Sequence, residues 1–163
     1  MPPSDLTAIL DRLVAARIRF VLVGGLAAVT QGAPVMTRDV DIVPARDDAN
    51  VDALMALLAD LHARYRGRPG VPLAPRRELI QGLGHNLLMT DLGALDVLGA
   101  IEDGRDYVAL LSESIEVPFD ATTVRVLSLE SIVRYKRRSS HAKDKAMLPV
   151  LEATLHKLRA GGE

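Results

Sequence analysis

The segment Asp39-Val40-Asp41-Ile42-Val43 constrains this chain more than any other, because acid and aliphatic residues alternate along it. Side chains of a strand alternate between faces. This order therefore commits the segment to a strand with one buried face, with Val40 and Ile42 in a core and both acids turned the other way. Residues two apart project together, their Cα atoms about 6–7 Å apart at roughly 3.3 Å rise per residue. Two carboxylates so placed can converge on a pair of cations about 3.5–4 Å apart, the separation used in two-metal phosphoryl chemistry.

Upstream, Phe20-Val21-Leu22-Val23 is a continuous apolar run that reads as a buried strand ending at Gly24-Gly25. Thirteen residues separate that glycine pair from Asp39. The pair leaves no side chain between backbone amides and an incoming phosphate. A short helix over Leu26–Gln31, stopped by Gly32 and Pro34, directs its N-terminus at the same place. A third acid, Asp96, stands between aliphatic neighbours in Ala94-Leu95-Asp96-Val97-Leu98, a costly position unless it binds something. Paired beside Asp39–Val43 at about 4.8 Å, it falls within reach of the same metals, as a ligand or as the base for an attacking hydroxyl. Taken singly, each feature has a plain reading. The glycines serve a turn, the two acids an exposed strand edge or cap, and Asp96 a turn if its hairpin register shifts.

The other elements follow from periodicity and punctuation. Ser4 is placed to cap a helix over Asp5–Arg17, with Leu6, Ile9, Leu10, Leu13 and Val14 at helical spacing. A second long helix spans Asp47–Leu61, and His62–Pro75 reads as a mobile loop. A hairpin follows, His85–Thr90 and Ala94–Leu98 around Asp91-Leu92-Gly93. Arg105–Ser112 is helical, and Ile115–Phe119 and Thr123–Leu127 are strands. Ser128 caps a helix to Arg138, and a last helix runs from Lys143 to Leu158 with Pro149 kinking it or marking its first turns. No repeat or linker divides the 163 residues, so one domain is expected over 1–163, its core at about 18–155. The order implies a mixed α/β (α+β) fold, a short mixed sheet flanked by helices.

Composition removes several functions. Aromatics are 3% with no Trp, so the core is aliphatic and no stacking platform for single-stranded nucleic acid exists. A net charge of −1 gives no global pull toward nucleic acid or membrane. With no cysteine there is no disulfide, thiolate metal site or thiol nucleophile. Met1–Leu10 is polar and no apolar run reaches membrane length, which sets the cytoplasm as the expected compartment. His62, His85, His141 and His156 show no zinc spacing. The glycines fit neither the dinucleotide fingerprint nor a P-loop, and no serine sits in a nucleophile elbow.

Gly24-Gly25, the spacer and Asp39-Val40-Asp41-Ile42, with Asp96, resemble the nucleotidyltransferase superfamily, the fold of polymerase-β-like enzymes. Gly24 to Ala28, Gly32, Thr37, and Leu127 to Lys136 with Lys143-Asp144 resemble small stand-alone members more closely. These are the bacterial and archaeal proteins of abortive-infection and toxin–antitoxin systems. The resemblance covers Ile18 to Leu155.

It implies magnesium- or manganese-dependent transfer of a nucleoside monophosphate from a triphosphate such as ATP. Asp39, Asp41 and Asp96 would be the catalytic metal ligands, and Gly24, Gly25, Thr37, Lys136 and Asp144 would bind the nucleotide. The acceptor hydroxyl would belong to a small molecule, a tRNA end or a protein, and an antibiotic-modifying adenylyltransferase is a narrower form of this reading. Relatives carry basic residues where this chain has Val35 and His141, which weakens the expected phosphate contacts. The alternative is a non-catalytic nucleotide-binding, antitoxin or regulatory module acting with a partner. One small domain leaves little wall for an acceptor, so a homodimer or cognate partner chain would complete it.

Among the basic residues, Arg134, Lys136, Arg137, Arg138, Lys143 and Lys145 read from charge alone as a solvated helix face. The resemblance singles out Lys136. Arg64, Arg66, Arg68, Arg76 and Arg77 read as an exposed loop in preference to a phosphate or RNA contact.

Overall fold

The alternation at Asp39–Val43 is realised in β2 (Asp39–Pro44), where Val40 and Ile42 are buried and both acids half-buried. The computed structural model describes residues 4–67 and 69–161; Arg68, among the loop arginines, lies outside them. β2 is central in a seven-stranded mixed sheet of order β3-β4-β5-β2-β1-β7-β6. The other strands are β1 (Phe20–Val23), β3 (Arg64–Tyr65), β4 (His85–Thr90), β5 (Gly93–Leu98), β6 (Ser114–Phe119) and β7 (Thr122–Leu127). β2 runs antiparallel to β1 and parallel to β5, and β1 runs parallel to β7. Hairpins β4–β5 and β6–β7 flank this centre, and β3 edges β4.

Among the described residues seven α-helices flank the sheet: α1 (Leu6–Ala15), α2 (Gly24–Thr30), α3 (Asp48–Asp60), α4 (Arg77–Ile80), α5 (Tyr107–Leu111), α6 (Leu129–Arg138) and α7 (Ala142–Gly161). Val40, Ile42, Leu95 and Val97 join one core cluster with Ile9, Leu10 and Leu13 of α1 and Leu54, Leu57 and Leu58 of α3. Each fully buried aliphatic contributes about 1.5–3 kcal/mol. A one-residue slip of β2 would expose its aliphatics and bury Asp39 and Asp41, so the core fixes which way the acids point. No helix among the described residues is long and apolar enough to cross a membrane.

Several boundaries differ from expectation, each for a local reason. The cap of α1 is Asp5, whose carboxylate accepts from Ala8 N at 2.9 Å, while Ser4 packs where a side chain at Gly93 would sit. α1 stops before Arg17 because that residue is left-handed (φ 56°) and Ile18 N donates to Leu13 O. α2 starts at the glycine pair itself rather than at Leu26. Asp47 and Asp106 cap α3 and α5 from outside, accepting from Asn50 N and Ala109 N. Ser128 caps α6 as expected, accepting from Ser131 N at 3.2 Å. The expected loop His62–Pro75 contains β3 and is therefore not wholly irregular. Short α4 has no counterpart in the sequence reading. α7 begins one residue earlier than expected and continues through Pro149; the Lys145 carbonyl, which a prolyl nitrogen cannot serve, belongs to an exposed residue.

Asn50 ties the ends of β1 and β2 to α3. Its amide is 4% exposed, accepts from Arg19 N at 2.8 Å and donates to Arg19 O and Ala45 O at 3.0 and 2.8 Å. Asn50→Ala leaves those backbone groups unpaired, so a loss of about 2–3 kcal/mol is expected in denaturant unfolding. A loss below about 0.5 kcal/mol would mean that water replaces the amide.

Candidate active site

β1 passes into α2 without a connecting loop. Val23 is extended and Gly24 left-handed at φ 73°, a conformation that glycine alone adopts without cost. Space demands glycine there as well, since a Cβ at residue 24 would lie 2.0 Å from Asp41 Oδ2. At Gly25 a Cβ would press on Thr37 at 3.1 Å. No side chain caps the first turn of α2.

The parallel register of β2 and β5 sets Asp41 directly beside Asp96, and Asp39 beside Ala94. One carboxylate oxygen from each of Asp39, Asp41 and Asp96 lies within 4.8 Å of the others. Burial and the neighbouring acids oppose ionisation of Asp41. The Asp41 carboxyl is pushed up to about 8, first by burial, then by its hydrogen bond with Asp96 and the charges of Asp96 and Asp39, with Arg66 opposing. Asp96 is 6% exposed, and its Oδ1 has no hydrogen-bond partner among the described residues. Arg66 Nη1 is 2.7 Å from that oxygen but is not aligned on it; the hydrogen bond from Nη1 runs to Leu88 O at 2.8 Å. Thr37 Oγ1 donates to Asp39 O at 3.3 Å at the start of β2.

A cavity of about 470 Å³ opens beside Asp39 and Asp41, and Asp96 is not among its lining residues. It is lined by Gly24, Gly25, Thr37, Asp39 and Asp41 from α2, β2 and the approach to β2, and by Lys136 and Asp144 from α6 and α7, together with Met36, Arg38, Lys143 and Met147. A larger cavity, about 750 Å³, lies at the β4 edge against Tyr65, Leu79 and His85 and contains none of the acids.

The basic cluster resolves into separate pairs. Lys136 Nζ lies 2.9 Å from Asp144 Oδ1, and Ser139 Oγ donates to Asp144 Oδ2 at 2.6 Å. These two contacts, Ser139 first, hold the Asp144 carboxyl below the usual range. Arg137 instead pairs with Glu152, Arg138 with Asp103 and Arg134 with Glu113. Lys136 is thus the cation of α6 that lines the cavity, and exposed Lys143 joins it from α7. Of the two positions where a basic residue was expected, Val35 packs against the core, and His141 is exposed with its charge acting on Asp144.

Sequence reading did not place Arg38, Arg66 or Gln31 in this neighbourhood, and it left Lys143, named with Asp144, on a solvated basic face. Gln31 Nε2 donates to Ala27 O and Leu127 O, both at 2.9 Å, and its Oε1 accepts from Leu129 N at 2.7 Å. That clamp holds α2 against the start of α6, so the glycine turn and Lys136 keep a fixed separation. Glu113 secures α6 from outside, accepting from Tyr135 OH at 2.8 Å and pairing with Arg105 at 3.3 Å. Arg38 carried a signal, since it directly precedes the first acid. Arg66 and Gln31 carried none, because their contacts come from distant segments.

No protein-family model matches the chain, and no curated protein matches it in sequence. Solved structures do match. The lincosamide antibiotic adenylyltransferase LnuA, bound to lincomycin, aligns with a TM-score of 0.60 at 17% identity, over 91% of this chain and 95% of that one. ANT(2")-Ia in complex with adenylyl-2"-tobramycin aligns at 0.54 and 13% identity, over 96% and 98%. An antigenic nucleotidyltransferase-like protein from Paracoccidioides brasiliensis aligns at 0.52 and 16%, over 91% and 72%. The chain has the nucleotidyltransferase fold. At these identities the likeness is one of fold.

Proposed function

We propose that this chain is a metal-dependent nucleotidyltransferase that moves a nucleoside monophosphate from a triphosphate to an acceptor hydroxyl. The observation that carries the reading is the trio of carboxylates on two adjacent parallel strands, beside a cavity floored by glycine and walled by lysine. The single sheet and single core cluster support one domain for the chain.

The residues fit a divalent cation. Asp96 Oδ1 is buried and, among the described residues, without a hydrogen-bond partner, a state that costs free energy unless a ligand satisfies it. Asp39, Asp41 and Asp96 form an all-oxygen donor set, which suits the hard ions magnesium and manganese. When bound, such an ion offsets charge developing on the transferred phosphoryl group.

The chain's own residues do the rest. Gly24 and Gly25 admit the triphosphate to the uncapped first turn of α2. The acceptor oxygen attacks the α-phosphorus, the bond from that phosphorus to the oxygen bridging to the β-phosphate breaks, and pyrophosphate leaves toward Lys136. The acceptor's proton passes to the Asp96 carboxylate, through the oxygen that the cation does not hold. Arg38 and Lys143 line the cavity with positive charge, whereas Val35 carries none and His141 does not line it. The complete acid trio favours catalysis over a non-catalytic binding module. The kinship with abortive-infection and toxin–antitoxin proteins rests on sequence motifs alone.

Incubation with each labelled triphosphate, magnesium and a tRNA or lysate fraction is expected to label an acceptor and release pyrophosphate. Failure of all four triphosphates to bind, with magnesium or manganese, would remove the assignment.

A metal-linked pH dependence is also expected. Because the Asp41 carboxyl is raised to about 8, a cation has to displace its proton below that pH. Magnesium affinity should rise by about tenfold per unit up to about pH 8 and then level, with about one proton released per binding event. Calorimetry in buffers of different ionisation enthalpy measures that proton. A pH-independent affinity would place the cation elsewhere.

A further inference from the structure

The three acids sit at the border between two halves of one sheet face, and only one half is walled. On the β1 side α2, α6 and α7 supply the residues that line the cavity. On the β4 side the register sets Leu87 directly beside Asp96, and Leu87 is 44% exposed. One step further, Arg66 N donates to Leu87 O at 2.9 Å. Asp41, Asp96, Leu87 and Arg66 therefore form one row across the sheet, with the open ground beyond Asp96.

Arg66 is the charged group on that ground. Its side chain returns toward the acids, Nη1 lying 2.7 Å from Asp96 Oδ1 while donating to Leu88 O at 2.8 Å. Asp96 is its one acidic partner among the described residues. Its neighbour Arg64 is occupied elsewhere, donating to His62 O at 3.1 Å and lying 3.9 Å from Asp91. A guanidinium has five N–H donors in a planar fork. Arg66 makes one side-chain hydrogen bond among the described residues, so the Leu88 carbonyl steadies a fork that is otherwise unspent.

We propose that Arg66 is the anion receptor on the acceptor side of this site, binding a phosphate group carried next to the hydroxyl that receives the nucleotide. The proposal rests on the transferase reading above and names the class of acceptor. Arg66 lies across Asp96 from Lys136 and Gly24, so it does not serve the departing pyrophosphate. Once a cation takes Asp96, Arg66 loses its acidic partner and faces the row with uncompensated charge. A planar fork in that state selects phosphate by paired hydrogen bonds. The row holds no acid beyond Asp96, so a polycationic acceptor meets repulsion there. Two sources carry the required chemistry, a small phosphorylated polyol and the hydroxyl end of a nucleic acid.

The test is a binding measurement. The protein is loaded with calcium and an ATP analogue whose α,β-bridge is methylene, which fills the triphosphate side without turnover, and is titrated calorimetrically with inorganic phosphate. Arg66→Gln is expected to weaken phosphate binding about tenfold or more, Arg66→Lys by less, and Arg64→Gln by less than about twofold. Melting curves verify that each variant is folded, and Arg66→Lys keeps the charge while losing the fork. Glycerol 3-phosphate and an RNA hairpin with a free 3′-hydroxyl compete in separate arms, and displacement of phosphate by either supports the proposal and identifies the source. Equal phosphate affinity in wild type and Arg66→Gln overturns it, as does spermine binding better to wild type than to Arg66→Gln. An analogue that fails to bind removes the transferase reading and this proposal together. Intact analogue binding with phosphate indifferent to residue 66 removes this proposal alone.

Discussion

Asp41→Asn is expected to lower turnover by about 10³-fold or more while making the metal-free protein more stable. The first effect follows from losing one of three carboxylates placed to hold a cation against the transferred phosphoryl group. The second follows from the same crowding. Asp41 has Asp96 directly beside it in register, Asp39 on its own strand, and a raised pKa of about 8 whose largest cause is burial. In the unfolded chain the group ionises near its ordinary value of 3.8. Between those values the folded state holds a proton that the unfolded state has released. Folding stability must therefore fall as pH rises through this window, by at most about 1.4 kcal/mol per unit for one proton. Asparagine removes that linkage. The stability advantage of Asp41→Asn should be absent below about pH 4, grow to about pH 8 and then level. Magnesium should reverse the order, stabilising wild type and leaving the variant nearly unchanged. Thermal melts across pH, with and without magnesium, provide the readout, and a variant less stable than wild type at pH 8 without metal would contradict it.

What the sequence disclosed about this neighbourhood divides along a physical line. Local pattern was enough for β2, where alternation of acid and aliphatic residues is imposed by the pleat and by one-sided burial, and for β5, an apolar run bounded by the Asp91-Leu92-Gly93 turn. It was enough also for the α6 cap, where Ser128 immediately precedes a run of helical spacing. Ser4 and Asp5 are both good capping residues, and the choice between them is tertiary: Asp5 N donates to Leu92 O at 2.8 Å, which fixes Ser4 outside the helix. β3 is two residues of charged and aromatic character, defined only by its pairing with Leu88 and Met89. Nothing in Arg64-Tyr65 itself announces a strand, so Arg66 was read with an exposed loop. The same limit applied to the basic cluster, whose members differ in their partners far more than in their chemistry.

Lys136→Ala is expected to weaken triphosphate use by about 2–4 kcal/mol of transition-state stabilisation, the scale of one lost electrostatic donor. Arg137→Ala should change it by less than about threefold. The two cations are adjacent in sequence and face different ground. Lys136, 21% exposed at its side chain, lines the cavity with the glycine turn, Asp39 and Asp41, its ammonium on Asp144. Arg137 is 59% exposed and pairs with Glu152 of α7. As a point charge, Lys136 can shift from Asp144 to a departing pyrophosphate without leaving the cavity, which lowers repulsion as the phosphorus–oxygen bond breaks. Loss of the exposed Arg137–Glu152 pair should change stability by about 0–1 kcal/mol, and after Lys136→Ala the Asp144 carboxylate keeps its hydrogen bond from Ser139 Oγ. The contrast should therefore be read in folded enzyme, as kcat/KM for the triphosphate. Asp144→Ala gives a third point. If Asp144 acts only by holding the lysine ready, Lys136→Ala should cost less in the Asp144→Ala background than in wild type, by the amount that Asp144→Ala costs alone. Equal and small losses for Lys136→Ala and Arg137→Ala would show a diffuse basic surface and take Lys136 out of the site.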